Sequence, residues 1–416
     1  MIRFSAICAM SAAALMLAAC GGDQTRDVSG FDRSYQDTLM AALLDAEPGD
    51  VIEIPAGEFL IERGLSLSGV DGVTIRGAGM GETILSFAEQ RQGAEGLLVS
   101  GSDDFTIENL AIEDTIGDAL KITDGTNIII RGMRVEWTNG PSTQNGAYGL
   151  YPVQSTNILI EDSVAIGASD AGIYVGQSDN IVLRDNRAES NVAGIEIENS
   201  NNADVYGNVA TNNTGGILVF NMPNLPRPGA GTRVFDNEVY ENNTANFGHE
   251  GTPVASVPAG SGILVNSNDH VEIFNNRLRD NRTAHVIISS LHTAGFSELG
   301  VNADFDAYPE GVHIHSNSYE GGGGNPDNLE LQALRIAMFG PTGRIPGVMW
   351  DGYVDEEKRV DGALPEDLRL CVEDAEVLNV DGPNGFADPR MVTEEHRCSH
   401  ERLAPVELPF AEARVE

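Results

Sequence analysis

Apolar residues through the middle of this chain alternate with polar ones in short runs that return every 22 or 23 residues, a strand pattern rather than a helical one. Gly149-Leu150-Tyr151 is followed by Gly172-Ile173-Tyr174, Gly194-Ile195-Glu196, Gly216-Ile217-Leu218 and Gly262-Ile263-Leu264. The steps are 23, 22, 22 and 46 residues, the last being one repeat that carries a long insertion. Gly96-Leu97-Leu98 and Ala119-Leu120-Lys121 extend the phrase upstream. Self-similarity at this spacing predicts a solenoid, in which each repeat buries its apolar face only against its neighbours.

The repeat from Gly172 to Ala193 reads as three short strands and three turns. Ile173 and Val175 point inward on either side of Tyr174, a polar corner follows, Ile181 and Leu183 point inward around Val182, and Ala188 points inward after a turn at Asn186. Such a unit suits one coil of a right-handed parallel β-helix. The predicted fold is therefore an all-β solenoid of about ten coils, a rod near 50 Å long at roughly 4.8 Å per coil. Asn186, Asn208, Asn237 and Asn276 share one phase, and Asn191, Asn213, Asn242 and Asn281 share another five residues on. These two columns predict stacked, mutually hydrogen-bonded asparagines at the turns. Helical spacing of Leu39, Leu43 and Leu44 within 35–46 predicts a helix capping the amino-terminal end, where unpaired strand edges need cover. After about Trp350 the period fades into a Pro-rich, acidic segment suited to an irregular carboxy-terminal cap.

The first residues change the picture of where the protein resides. Arg3 followed by an apolar run through Leu17 predicts a signal peptide over 1–19. Leu17-Ala18-Ala19-Cys20 resembles a bacterial lipobox, which implies cleavage before Cys20 and its lipidation, with 20–34 as a linker. The expected location is the cell envelope, lipid-anchored to the outer membrane, on its periplasmic or surface face. Cys8 leaves with the signal and Cys20 carries lipid, so Cys371 and Cys398 are expected to form a disulfide within the cap over 351–416. Residues 35–350 form the expected β-helix domain with its amino-terminal cap. The net charge of −38, or −39 once Arg3 is removed, argues against a nucleic-acid partner. It also argues mildly against unaided binding of polyuronates and leaves calcium as a possible ligand. No other cofactor is expected, and the sequence leaves a protein partner unknown.

The span from about Pro48 to Trp350 resembles the pectate-lyase-like right-handed β-helix superfamily. Pro48-Gly49-Asp50-Val51-Ile52-Glu53-Ile54-Pro55-Ala56-Gly57 looks like its first coil, and Val73-Thr74-Ile75-Arg76-Gly77-Ala78-Gly79 like its second. Together with the lipobox and the Cys371/Cys398 tail, the chain resembles an uncharacterised bacterial family of parallel-β-helix-repeat lipoproteins. That superfamily holds polysaccharide lyases, polygalacturonases, mannuronan epimerases and non-catalytic binding proteins, so fold does not settle function. Three of the four polygalacturonase signatures, Asn-Thr-Asp, Gly-His-Gly and Arg-Ile-Lys, are missing, and the only Asp-Asp is Asp103-Asp104 in a corner. The Asp-Pro-His of mannuronan epimerases is missing as well, and no clear calcium cluster of the pectate-lyase kind appears.

In the superfamily the cleft runs along the first strand of each coil. Here that outward column reads Leu98, Lys121, Tyr151, Tyr174, Glu196, Leu218, Leu264 and Ile287, flanked by insertions over 139–148, 222–231 and 244–261. Tyr151 and Tyr174, one coil apart, are candidates to stack on sugar rings, with Glu196 beside them. The candidate catalytic groups are Lys121, Tyr174 and His249 as bases, Glu196 as a carboxylate, and Arg227 to neutralise a uronate. Asp170 or Glu250 is the candidate second carboxylate that hydrolysis would need. His313 and His315 leave one strand face and can share a metal, but the column Asp204, Arg233, Glu272, His313 reads more simply as a charge ladder, so no metal site is assigned. The favoured reading is an envelope lipoprotein that binds an extended polysaccharide or envelope glycan. A carbohydrate-active lyase, epimerase or hydrolase is the alternative, and a non-catalytic docking rod is the third.

Overall fold

The computed structural model describes residues 26–293, 301 and 305–410. The expected signal peptide over 1–19 and the expected lipidation site Cys20 lie outside the described residues. The chain winds into a three-sided parallel β-helix, and one coil comprises strands Ala171–Gly176, Asp179–Arg184 and Arg187–Glu189. Equivalent strands stack into three sheets of 12, 11 and 10 strands among the described residues, called here the first, second and third sheets in the order the chain meets them within a coil. The strand Arg390–Met391, at the far end of the first sheet, pairs antiparallel with its neighbour.

Register follows the phrase in the sequence. Ile173 pairs with Ile195, Ile195 with Ile217, Ile217 with Ile263 and Ile263 with Val286, so one apolar row runs down the core. On the third sheet Ala165, Ala188 and Ala210 stack and give way to Val239 and Leu278, a narrow wall that widens along the rod. The corners hold Gln177, Asn180, Asp185, Ser190 and Asn199 at positive φ, a conformation that short polar side chains tolerate.

Both asparagine columns form ladders. Asn186 Nδ2 donates to Asn208 Oδ1, Asn208 to Asn237 and Asn237 to Asn276, at 2.9 to 3.0 Å, and the row continues one rung further to Asn317. Asn191, Asn213, Asn242 and Asn281 repeat the pattern.

Helix α1, Tyr35–Leu44, caps the amino-terminal end through buried Leu39 and Leu43. At the other end the coil continues past residue 350: Cys371–Val372 and Val377–Asn379 add parallel rungs to the second and first sheets. The Cys371–Cys398 disulfide closes this end, as expected. Beyond it the tail crosses the outer face of the second sheet. Arg402 Nη1 meets Glu272 at 2.7 Å, the Val406 amide donates to Asp204 at 3.1 Å, and Leu408 covers Leu159 and Val182.

The largest departure from simple alternation lies on the outer face of the first sheet. Tyr174, Leu218, Leu264 and Ile287 point away from the coil core yet are buried, because Met222, Val254 and Val257 of the insertions fold over them. A second helix, α2 (Leu329–Phe339), which the coil period does not foretell, adds Leu331 and Leu334 to this layer. Asn328 caps it by accepting from the Leu331 amide at 2.7 Å. Among the described residues no helix is long and apolar enough to cross a membrane.

Candidate functional site

Upstream of that apolar cover the same face of the first sheet carries a concentrated set of ionisable groups. Lys121 pairs directly with Tyr151, and Tyr174 with Glu196, in adjacent rungs of the column. The column assigned from sequence is therefore in place. Glu196 and Glu198 alternate on one strand and so share its outer face. Asp170 sits in the corner before the Tyr174 strand, beside Ala171, which pairs with Tyr148.

Three tyrosines meet here. The Tyr148 ring lies 4.5 Å from Tyr151 and 4.6 Å from Tyr174, and Tyr151 meets Tyr174 edge-on at 4.9 Å. Lys121 Nζ stands 4.9 Å above the Tyr151 ring. The Tyr174 hydroxyl donates to Glu198 Oε1 at 2.6 Å, and Gln177 Nε2 donates to that hydroxyl at 3.2 Å. Gly176, which pairs with Glu198, makes the reach possible: a Cβ there would stand 2.7 Å from Tyr174 Cζ.

Burial sets the protonation of the cluster. It lifts Glu198 to about 7, opposed by the Tyr174 hydrogen bond. It lifts Asp170 to about 7, aided by the Glu198 charge and opposed by Tyr148. Glu196, only 4% exposed, is raised well above the carboxylate range by burial and then by Asp170 and Glu198, and its Oε2 has no hydrogen-bond partner. Asp118 is raised to about 6 by burial, with Lys121 pulling it down. Around neutral pH the cluster thus shares protons among several carboxyls, a pattern typical of acid–base sites.

Several sequence assignments need correction. Tyr174 is not an open stacking platform: it is 4% exposed, and its neighbours lie tilted or edge-on to it. Nor is it a base, because its phenol is spent as a donor to Glu198 and burial raises it well above its ordinary value. Tyr151 keeps partial exposure. Arg227 is tied to Asp179 at 2.6 Å and to the Gln177 carbonyl at 2.9 Å, a loop clamp away from the carboxylates. His249 and Glu250 are exposed, and the His249 carbonyl accepts from Thr252 in its own loop. Their insertion turns Val254 and Val257, not His249, toward the sheet.

Glu198, Tyr148, Asp118 and Gln177 escaped the sequence reading. The Glu196-Ile197-Glu198 alternation was a usable signal for the first; the others sit in corners or at a strand's first residue, where side-chain direction is not set by alternation. The coiled second sheet holds a further row that sequence reading missed: Tyr206, Phe235, Phe274 and His315 stack nearly parallel at 4.8 to 5.1 Å. A cavity of about 590 Å³ lies further along the first sheet among Phe220, Leu264, Ile287, Leu331 and Met349. It is predominantly apolar and separate in character from the carboxyl cluster.

Residues 64–226 match the family described as a right handed beta helix region. The A-module of the Azotobacter vinelandii mannuronan C-5 epimerase AlgE4 aligns with a TM-score of 0.51 at 19% identity, covering 77% of this chain and 87% of that one. The AlgE6 A-module from the same organism aligns with a TM-score of 0.49 at 18% identity, covering 71% and 84%. At such identities the likeness is one of fold alone. No curated protein matches the chain.

Proposed function

We propose that this chain, a right-handed parallel β-helix protein of the pectate-lyase-like superfamily, binds an extended carbohydrate along its first sheet and performs acid–base chemistry on it at the Asp170–Glu196–Glu198 cluster. The observation that carries the reading is Glu198: a partly exposed carboxyl lifted to about 7, hydrogen-bonded to Tyr174 at 2.6 Å and flanked by two further raised carboxyls. A carboxyl of that kind holds a proton at neutral pH and can give it to a glycosidic oxygen.

Hydrolysis of a neutral glycan fits better than elimination or epimerisation of a uronate. A uronate carboxylate would meet four carboxyls with Lys121 as its nearby cation, since Arg227 is committed to Asp179. Tyr148 and Tyr174, both raised well above their ordinary values, are unsuited to abstract a proton from carbon. Tyr151 and Lys121, both partly exposed, offer the sugar a ring edge and a cation at the rim.

The test is turnover on a panel of neutral and uronate polysaccharides, with Glu198→Gln beside the parent chain. Reducing ends released from a neutral glycan, and reduced at least a hundredfold in Glu198→Gln, would support the reading; loss of a general acid typically costs 10²–10⁴. Unsaturated ends from uronates, or turnover indifferent to Glu198→Gln, would refute it. Binding without turnover that is lost in Tyr151→Ala would favour the non-catalytic glycan binder instead. Anchoring at the outer membrane through acylated Cys20 is part of the same proposal, resting on the Leu17-Ala18-Ala19-Cys20 motif. It predicts labelling by a fatty acid that Cys20→Ala abolishes; unlabelled parent protein would contradict it.

A further inference from the structure

We infer that Glu272, His313 and His315 form a binding site for one divalent transition metal of the zinc class, at the carboxy-terminal end of the second sheet and apart from the carboxyl cluster. One donor atom from each of the three residues lies within 4.8 Å of the others, and all three side chains are buried. His313 and His315 flank inward-pointing Ile314 on one strand, so both imidazoles leave the same face. Glu272 pairs directly with His313 on the adjacent strand, and its Oε1 accepts from His315 Nε2 at 3.1 Å, which leaves Nδ1 as the lone-pair nitrogen of His315.

The hydrogen bonds around His313 identify its ligating atom. Nε2 lies 2.8 Å from Glu373 Oε1, and a carboxylate accepts, so Nε2 carries the hydrogen. Nδ1 therefore holds the lone pair, and it is buried with no hydrogen-bond partner. A ring whose second nitrogen donates to a carboxylate while the first faces the ion is the usual support for a metal-bound histidine. His315 is held flat against Phe274, ring centroids 5.1 Å apart. Two imidazoles and one carboxylate suit zinc and leave its fourth position open.

Two features supply that position and the route to it. A cavity of about 150 Å³ adjoins Glu272 and His313 and is lined also by His270 and His400. His400 Nε2 donates to the Arg369 carbonyl at 2.7 Å, which leaves Nδ1 as its acceptor nitrogen, and its ring lies 5.7 Å from that of His313. A cation already spans part of the site: Arg402 Nη1 lies 2.7 Å from Glu272 Oε1 and 3.0 Å from His315 Nδ1. Its side chain is 58% exposed, so its departure would open the site to solvent. Arg402 thus competes with the metal for the same negative charge and the same lone pair.

That competition makes the inference testable in two directions. The full chain, stripped with a chelator, is titrated with Zn²⁺ by calorimetry and with Co²⁺ by visible absorption, in excess Mg²⁺ to occupy the acidic surface. One equivalent of either metal should bind. His313→Asn and His315→Asn should abolish saturable binding, and Glu373→Gln should weaken it by about 10–100-fold, as loss of an outer-shell carboxylate does. Arg402→Ala should tighten it by about tenfold, through removal of a like charge a few ångströms away. No saturable binding above the Mg²⁺ background overturns the inference, as does uptake unchanged in His313→Asn. Should the histidine variants fail to fold, as judged by circular dichroism, the exposed Arg402→Ala decides: weaker binding there overturns the inference as well.

Discussion

Replacing Asn208 by alanine removes one rung of a buried ladder, and the structure says what is lost. Asn208 is 1% exposed, and its side chain takes part in four hydrogen bonds. Its Oδ1 accepts from the Asn186 amide and from Asn186 Nδ2, each at 3.0 Å. Its Nδ2 donates to the Leu183 carbonyl and to Asn237 Oδ1, again at 3.0 Å. Asn186 Nδ2 keeps the Ile160 carbonyl, and Asn237 Oδ1 keeps the Asn208 amide. The Asn186 amide loses its side-chain acceptor and the Leu183 carbonyl loses a donor. At about 1–3 kcal/mol for each buried group left short of a partner, the loss is roughly 3–4 kcal/mol. Denaturant unfolding of parent and variant measures the total, and hydrogen exchange resolved over 180–190 measures the Asn186 amide. A loss below about 1 kcal/mol, with that amide still protected, would show that the turn relaxes or takes up water and that the ladder is not what holds it.

Three further outcomes follow from the same structure. Reducing the Cys371–Cys398 bridge, or the double change to serine, should destabilise the carboxy-terminal end by about 3 kcal/mol on the chain-entropy account, read as a lower first transition in a melt with and without reductant. Asp170 and Glu198 are raised to about 7 in the folded chain, so it binds their protons more tightly than the unfolded chain does. Their effect favours folding most below about pH 4 and fades as pH rises through about 7; the stability of the parent relative to Glu198→Gln should therefore fall across that interval, and a flat difference would refute the assignment. Gly176→Ala should push the Tyr174 ring off Glu198 and abolish any turnover while the coil still folds, as followed by near-ultraviolet circular dichroism; unchanged turnover would show that this hydrogen bond is dispensable.

The coil was legible because its physics is periodic. Ile173, Ile195 and Ile217 repeat at a fixed step, and so do Asn186 and Asn208, so register, core and ladder followed from counting. The outward column from Lys121 to Ile287 was legible for the same reason. What covers that column was not. Met222, Val254, Val257 and α2 come from segments without the period, and their packing over Leu218 and Leu264 depends on contacts remote in sequence. That is why Tyr174 appeared open and proved buried, and why His249 was placed over a cleft that its own loop fills with valines. The tail beyond Cys398 escaped likewise: Arg402 and Leu408 find Glu272 and Val182 across more than a hundred residues.

The most direct test is the titration of Glu198 itself, followed by carboxyl ¹³C resonances in protein labelled at glutamate and assigned by their absence in Glu198→Gln. The account predicts a midpoint near 7, moving higher in Tyr174→Phe because the hydroxyl that favours the charged form is gone. A Glu198 resonance that titrates at the ordinary glutamate value near 4.5, unmoved by Tyr174→Phe, would contradict it.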